Sequence, residues 1–149
     1  MKTTYEHVLF ATDLTDDAVP AGRKAVAVAL ALGARFSLLH VLRAQDQAVG
    51  GEAGSMSTES VQWVNRHQQA LGDLAHELGV DHAEHWVETA QAVPAAIEHA
   101  AREHGVDLIV MANHAKTGGI LGRFQTTITE DLLHRTQCDL LAVRAVSER

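Results

Sequence analysis

The sequence predicts a three-layer α/β fold in which one parallel sheet is covered by helices on both faces. Apolar runs of five to eight residues alternate with longer segments of helical periodicity. Three of the helix-to-strand junctions carry a glycine, at Gly33, Gly79 and Gly105, and glycine adopts a left-handed cap conformation at little cost. Buried parallel strands joined by helices produce this alternation. No repeat or linker interrupts it, so we predict a single domain over residues 1–149.

The first half of the chain predicts two strands and two helices. A strand is expected at His7–Ala11, a helix from about Asp17 to Leu32, and a buried strand at Arg35–Leu42. The segment from Arg43 to Met56 is too long for a simple connector, and it is either a lid over a crevice or a disordered excursion. Apolar residues spaced three or four apart predict the next helix from about Ser57 to Leu78.

The second half predicts three further strands and two helices. A weaker strand, close to a sheet edge, is expected at His82–Val87, and the strongest strand of the chain at Asp107–Ala112. Between them a helix begins near Pro94, a residue that suits a first helical turn. A final helix from about Thr127 to Arg135 leads into the last strand, Asp139–Val146.

Composition and charge argue against several classes of partner. Twelve basic and nineteen acidic side chains give a formal net charge of −7, which repels a phosphate backbone, so nucleic acid is not expected as a partner. The single cysteine, Cys138, cannot form an internal disulfide. No apolar run approaches the roughly 20 residues that span a bilayer, and the first residues lack the apolar stretch of a signal peptide. We therefore expect a cytoplasmic protein without membrane contact.

Histidine is unusually frequent, at ten of 149 residues. A zinc site needs several ligands that converge, but His82 and His85 lie three apart in a predicted strand, which places them on opposite faces. No H-E-x-x-H motif is present. We expect scattered surface histidines and no metal site. Protonating all ten would change the formal charge from −7 to +3.

The topology also predicts where a ligand binds. In open parallel sheets the ligand lies outside the carboxyl ends of the strands, where the strand order reverses. That rule brings together Thr12, Asp13, the loop after Val41 and the loop after Ala112. The sequence has no G-x-G-x-x-G, G-x-x-x-x-G-K-[ST] or G-x-S-x-G motif. No catalytic constellation stands out, and we do not expect an enzyme.

Four segments together resemble the universal stress protein family: Val8–Asp13, Ser37–Val41, Asp107–His114 and Cys138–Val143. The resemblance covers essentially the whole chain, in order and in spacing. It implies a five-stranded parallel sheet of order 3-2-1-4-5 in a protein that is usually dimeric. It also implies a stress-induced protein that is not a metabolic enzyme, in a family where some members bind ATP or AMP.

The nucleotide-binding members of that family carry G-x-x-G, nine further residues and G-[ST] after the fourth strand. Here all three glycines are replaced, by Ala112, Ala115 and Gln125, and only Thr126 fits. Side chains at these positions obstruct the close approach of backbone N–H groups to phosphate, so the resemblance implies weak or absent ATP binding. Glycines 118, 119 and 122 form either a shifted phosphate loop or simply a flexible turn.

The residues at the base and ribose end match the family's pattern better than those at the phosphate end. Asp13 and Val41 match positions that hold the base and ribose in nucleotide-binding relatives. A buried aspartate at a strand end is also a common structural cap, so both interpretations of Asp13 stay open. The candidate nucleotide site implied by the resemblance consists of Thr12, Asp13, Val41, Ala112, Asn113, His114, Ala115, Gln125, Thr126 and Thr127.

Two functions remain open from the sequence. The first is a dimeric binding or regulatory protein of the stress response that needs no cofactor and binds ATP weakly or not at all. The second is a sensor that binds AMP or ATP at the carboxyl ends of strands 1, 2 and 4. A third, an ATP-dependent hydrolase, has no motif in its favour.

We expect a homodimer through the last strand, Asp139–Val146, because an apolar edge without glycine or proline invites pairing. A further protein partner is not identified by the sequence.

Overall fold

The computed structural model of the chain describes residues 4–44, 58–114 and 120–145, with side chains at all of these positions except 114, 120–127 and 145. None of the helices in these ranges is both long and apolar enough to span a bilayer. Strands and helices alternate along the chain. In order they are β1 (His7–Ala11), α1 (Ala18–Leu32), β2 (Arg35–Arg43), α2 (Thr58–Glu77), β3 (Glu84–Ala90), α3 (Val93–Glu103), β4 (Leu108–His114), α4 (Ile120–Arg135) and β5 (Asp139–Ala145).

The strands form one parallel sheet in the order β3-β2-β1-β4-β5. This order confirms the predicted fold class, and the predicted edge position of the weaker strand β3 is confirmed as well. The central strand β1 is buried along its whole length. Its residue Val8 lies opposite Phe36 of β2 and Leu108 of β4, so the side chains on each sheet face line up in rows.

The core consists of two apolar layers, one on each face of the sheet. Helices α1 and α2 cover one face, and α3 and α4 cover the other. Alternate residues of β1 enter opposite layers, as expected for a strand with side chains of period two. The first layer includes Val8, Phe10, Leu38, Leu71, Leu74 and Val110; the second includes Leu9, Leu39, Ile97, Ala100, Ile109 and Leu132.

The glycines predicted to end three helices have the expected backbone. Gly33, Gly79 and Gly105 have φ angles of 63°, 76° and 67°, in the left-handed region that side chains with a Cβ rarely enter. At the end of α1 the Gly33 N–H donates to the carbonyl of Leu30 at 3.2 Å. The abrupt change from helix to strand therefore depends on residue type at these positions.

Several predicted boundaries differ from the structure: β4 ends at His114 and not at Ala112, and β3 ends at Ala90 and not at Val87. Helix α4 begins at Ile120, not Thr127, so that Gly122 lies inside the helix and not in a loop. A glycine within a helix costs about 1 kcal/mol, and Ile120, Phe124 and Ile128 supply apolar residues at helical spacing. Strand β3 starts at Glu84 because residues 81–83 form a turn. The predicted loop Arg43–Met56 begins too early, because Arg43 is the last residue of β2. Residues 45–57 and Val146 lie outside the described residues.

Not all histidines lie on the surface, which corrects the expectation from composition. His7 and His40 are buried, and His7 is held by two hydrogen bonds. Its Nδ1–H donates to the carbonyl of His104 at 3.1 Å, and the hydroxyl of Ser37 donates to its Nε2 at 2.8 Å. The carboxylate of Asp107 accepts the backbone N–H of His7 at 2.9 Å. A fully hydrogen-bonded imidazole of this kind can be buried without a large penalty.

The close packing of α1 on the sheet predicts opposite effects for two glycine-to-alanine substitutions. A Cβ on Gly22 would lie 2.7 Å from Cδ1 of Leu78 and 3.1 Å from Cε2 of Phe10, whereas one on Gly72 in α2 would lie 3.5 Å from Nε2 of His85. Overpacking costs about 1–3 kcal/mol, more than the gain in helix propensity of about 1 kcal/mol. We expect Gly22→Ala to lower the free energy of unfolding and Gly72→Ala to raise it, measured by urea denaturation. Equal effects of the two would contradict this packing.

The buried histidines predict a loss of stability in acid. Burial lowers the pKa of His7, an effect partly opposed by its bond to the carbonyl of His104, and burial likewise lowers the pKa of His40. The folded state therefore binds fewer protons than the unfolded state, in which histidine has a pKa of about 6.5. The stabilising contribution is complete above that pH and is lost as the pH falls below it.

The measurement is the free energy of unfolding in urea between pH 7.5 and 5. We expect it to decrease with falling pH, and less steeply in His7→Gln than in the wild type. His82→Gln changes an exposed turn residue and is expected to keep the wild-type slope. A slope unchanged by His7→Gln would show that the buried imidazole does not cause the acid sensitivity.

Candidate functional site

A cleft of about 700 Å³ lies at the carboxyl ends of β1, β2 and β4, where the topology predicts a ligand site. The strand ends form its floor. Helix α2 forms one wall and helices α3 and α4 form the other. Its lining residues include Ala11, Thr12, Asp13, Leu39, His40, Val41, Arg43, Trp63, His67, Val93, Ile97, Met111, Ala112 and Ile128.

The floor of the cleft is a tight turn that follows β1. Leu14 has a φ of 60°, which is unusual for a residue with a branched side chain. Side chains on either side hold it in place. The hydroxyl of Thr12 accepts the N–H of Leu14 at 3.0 Å, while one carboxylate oxygen of Asp13 accepts the N–H and the hydroxyl of Thr15 at 3.1 and 2.7 Å. Strained turns that the surroundings fix in this way are concentrated at binding sites.

Asp13 is exposed, which corrects the expectation of a buried strand-end aspartate. Its two hydrogen bonds to Thr15 support the structural interpretation, in which the carboxylate holds the turn. The same carboxylate lines the cleft. A role in ligand binding therefore stays a prediction.

The α2 wall of the cleft consists of three aromatic rings in contact. His40, at the end of β2, stacks on His67 with ring centroids 5.4 Å apart and planes 6° apart. Trp63, one helical turn before His67, meets its ring edge-on at 5.4 Å. Backbone carbonyls position both imidazoles: Nδ1–H of His40 donates to Thr12 at 2.8 Å, and Nδ1–H of His67 donates to Trp63 at 2.9 Å.

The environment of His40 keeps its imidazole neutral. The side chain is 8% exposed, and this burial lowers its pKa. The Thr12 carbonyl opposes the shift, the proximity of His67 adds to it, and the Asp13 carboxylate opposes it weakly. Since a carbonyl can only accept, the Nδ1 atom carries the proton. In the neutral ring Nε2 is then an acceptor.

The opposite wall is apolar. Val93 and Ile97 of α3 and Ile128 of α4 face the cleft, together with Met111 of β4. These residues belong to or pack against the core layer beneath α3 and α4. The cleft therefore combines an apolar side with a hydrogen-bonding side, the usual composition of a small-molecule site.

The structure brings four of the predicted site residues together: Thr12, Asp13, Val41 and Ala112 all line the cleft. Asn113 follows in β4, and its buried Oδ1 has no hydrogen-bond partner among the described residues. His114 ends β4, with only its backbone described, and Ala115 lies outside the described residues. The binding roles of all seven stay predictions.

Gln125, Thr126 and Thr127 belong to α4, and only their backbone is described. Because the helix begins at Ile120, these residues lie more than one turn inside it. Backbone N–H groups at that depth donate to carbonyls four residues earlier. Free N–H groups are found at the first turn of a helix, so the observed boundary separates 125–127 from the helix end that binds anions most readily.

Sequence reasoning missed three residues of the cleft: His40, Trp63 and His67. His40 lies in a segment already singled out, directly before Val41, but its apolar surroundings gave no reason to treat it as a ligand contact. Trp63 and His67 are four apart in α2, so they share a helix face. That spacing was the available signal.

A second cleft of about 630 Å³ lies at the opposite end of the sheet, beside Tyr5, Arg102 and Cys138. Two of its polar side chains are used within the fold. The hydroxyl of Tyr5 donates to Asp139 at 2.7 Å, and the thiol of Cys138 donates to the carbonyl of Val106 at 2.8 Å. Burial raises the pKa of the Cys138 thiol, which disfavours the reactive thiolate. We therefore place the functional site in the first cleft.

Metal ligands do not converge in the part of the chain that the structure describes. No group of three or more histidine, cysteine, aspartate or glutamate side chains lies close enough there to hold an ion. The two histidines of the α2 wall are a pair without a third ligand of this kind.

A parallel sheet with a mixed polar and apolar cleft at its carboxyl edge defines a ligand-binding α/β domain. The model of the universal stress protein family matches residues 4–144 of the chain. The chain therefore belongs to the universal stress protein family, as the resemblance predicted.

Individual relatives are distant in sequence. A universal stress protein A homolog of Coxiella burnetii is 27% identical over 141 residues, which cover 93% of this chain and 96% of the relative. A universal stress protein solved in complex with cAMP superposes with a TM-score of 0.67 at 18% identity, covering 97% of this chain and all of the other. The Archaeoglobus fulgidus protein in complex with dAMP gives 0.62 at 18% identity, covering 95% and 99%. At these identities the solved structures show a shared fold.

Proposed function

We propose that this protein is a non-enzymatic regulatory member of its family whose cleft binds an adenine nucleotide with few phosphates. The observation that carries the proposal is the convergence of Asp13, Val41 and Ala112 on one cleft at the carboxyl edge of the sheet. Neighbours of the same fold are described in complex with cAMP and dAMP, two adenine ligands that each carry a single phosphate.

The shape of the cleft supports a flat ring with a polar edge. An apolar wall of Val93, Ile97 and Ile128 faces a wall of aromatic rings. A purine buries both of its faces between such walls while its edge nitrogens bond to polar groups. The cytoplasmic location and the stress-response role stay predictions from the sequence.

The phosphate end lacks the elements that favour a triphosphate. The motif glycines are replaced by Ala112, Ala115 and Gln125, and the backbone at Gln125 is part of α4. Charge is also unfavourable, because the chain carries a net charge of −7. Additional phosphates therefore add repulsion without adding backbone contacts.

The proposal predicts that AMP and ATP bind with affinities within about tenfold of each other, which is 1.4 kcal/mol. Titration calorimetry of the purified protein with each nucleotide, with magnesium present for ATP, measures both. A low-micromolar affinity for ATP together with undetectable AMP binding would contradict the assignment of a cleft without phosphate contacts. Mass spectrometry of small molecules released from freshly denatured protein identifies any ligand carried from the cell.

Asp13→Asn tests the polar floor of the cleft. The amide oxygen can still accept from Thr15, so the turn is expected to survive, but the charged acceptor for a nucleoside hydroxyl is lost. Hydrogen bonds to charged groups contribute about 1.5–3 kcal/mol, which corresponds to at least a tenfold weaker affinity for AMP. The control is Asp16→Asn, an exposed carboxylate three residues later that does not line the cleft, and it is expected to bind like the wild type.

We further propose a homodimer formed through β5. This strand is an edge of the sheet, and its Leu141 is 38% exposed, a large apolar side chain without cover from the described chain. Leu133 of α4, the helix that precedes β5, is also exposed. Apolar side chains beside a free strand edge favour pairing with a second copy.

Leu141→Lys is expected to shift the dimer toward monomer, measured by sedimentation velocity at tens of micromolar. Val143 is unsuitable for this test because it is buried in the core layer under α1, where a lysine would unfold the domain. The control is Val61→Lys, at a position of α2 that is 41% exposed, on a helix that packs against β2 and β3. A monomeric wild type, or equal effects of the two variants, would overturn the β5 interface.

A further inference from the structure

The two imidazoles of the α2 wall have the same tautomer and the same unused atom. Each Nδ1–H is engaged by a backbone carbonyl, that of Thr12 for His40 and that of Trp63 for His67. Each neutral ring therefore has its lone pair on Nε2. The hydrogen bonds given for these two rings among the described residues engage Nδ1 and not Nε2. Both rings line the cleft.

We propose that the His40–His67 pair is a specificity element that accepts hydrogen bonds from a ring amino group of the ligand. The cleft then binds amino-substituted heteroaromatic rings when both imidazoles are neutral and releases them in acid. The inference rests on the proposed function, because it assigns ring selectivity and pH regulation to the same cleft. A ligand with a carbonyl in place of the amino group would bring a hydrogen-bond acceptor against the two Nε2 acceptors, and its binding is therefore disfavoured.

The charged and titratable groups that face His40 come from its own strand, from β1 and from α2. The groups that act on His40 are His67 across the stack and the Asp13 carboxylate at the end of β1, with Arg43 further along its own strand at the cleft lining. Helices α3 and α4 contribute Val93, Ile97 and Ile128, none of which titrates.

Around His67 the described chain brings charged and titratable groups from α2 itself and from β3. Arg66 precedes it on the exposed side of α2. Strand β3, which packs against α2, brings His85 close to Gly72, more than one turn further along the helix. Helix α1 meets α2 through the apolar layer that contains Ala21, Ala25 and Leu71. Protonation of His40 is therefore disfavoured mainly by its burial.

Protonation reverses the chemistry of the cleft wall. A proton on Nε2 converts the acceptor into a donor, and the ligand's amino group then faces a like-signed N–H. Binding must release that proton, so the affinity for the ligand decreases as the pH is lowered. Because burial lowers the pKa of His40 below the ordinary value of about 6.5, protonation of this ring alone is expected to reduce the affinity by up to about tenfold between pH 7.5 and 5.5.

The experiment compares adenosine with inosine by titration calorimetry between pH 8 and 5.5. Nucleosides avoid the second phosphate ionisation, which lies near pH 6. At pH 8 we expect adenosine to bind at least tenfold more tightly than inosine, a preference that narrows as the pH falls. His67→Phe keeps an aromatic ring and removes one acceptor, so it is expected to reduce both the preference and the pH dependence. The matched control, His76→Phe, changes an exposed histidine of the same helix and is expected to behave like the wild type.

A measurement without ligand tests the premise separately. Two-bond proton–nitrogen correlation spectra at pH 8 report which ring nitrogen carries the proton, and we expect Nδ1–H in both His40 and His67. A proton on Nε2 of either ring would overturn the inference whatever the binding data show. Adenosine binding that is independent of pH, or unchanged in His67→Phe, would overturn the inference and leave the proposed function standing. If neither adenosine nor AMP binds at pH 8, the proposed function fails and the inference fails with it.

Discussion

Two hydrogen bonds at Thr12 fix the geometry on which the cleft depends. Its N–H donates to the carbonyl of Leu39 at 2.9 Å, and its own carbonyl accepts Nδ1–H of His40 at 2.8 Å. The first bond ends the pairing of β1 with β2, and the second sets the orientation of an imidazole on the neighbouring strand. His40 in turn stacks on His67 of helix α2, so Thr12 is linked through His40 to that helix. The rigidity of the central strand is thereby transmitted to the cleft floor and to one of its walls.

Much of the fold was predictable because buried parallel strands have a simple signature. The strand at His7–Ala11 is a continuous apolar run that is buried on both faces, and its predicted bounds match the structure. Glycines in the left-handed region gave the ends of the helices. The start of α4 at Ile120 was missed because three nearby glycines favoured a loop. Helices in proteins are stabilised mostly by packing of an apolar face, and the apolar spacing of this segment provides such a face. Local propensity is weakest where such effects compete.

The candidate site was predictable only where topology determines it. Thr12 and Asp13 follow β1, and Val41 and Ala112 lie two residues before the ends of β2 and β4, so the parallel sheet brings them to one edge. The contact between His40 and His67 joins residues on different elements, and its existence depends on how α2 packs across β2. Composition was misleading here, since a high histidine count suggested a charged surface. Histidines that find backbone and hydroxyl partners can instead be buried as neutral groups.

The buried histidines connect the stability of the fold with the chemistry of the cleft. His7 lies at the amino end of β1 and His40 at the carboxyl end of β2, and burial lowers the pKa of both. Protonation of His7 acts on the fold, while protonation of His40 also acts on the site. A ligand that binds only the folded, neutral form stabilises it by mass action. By the same linkage it lowers the proton affinity of the imidazole it contacts. A ligand in the cleft therefore makes His40 harder to protonate, whereas His7 does not line the cleft.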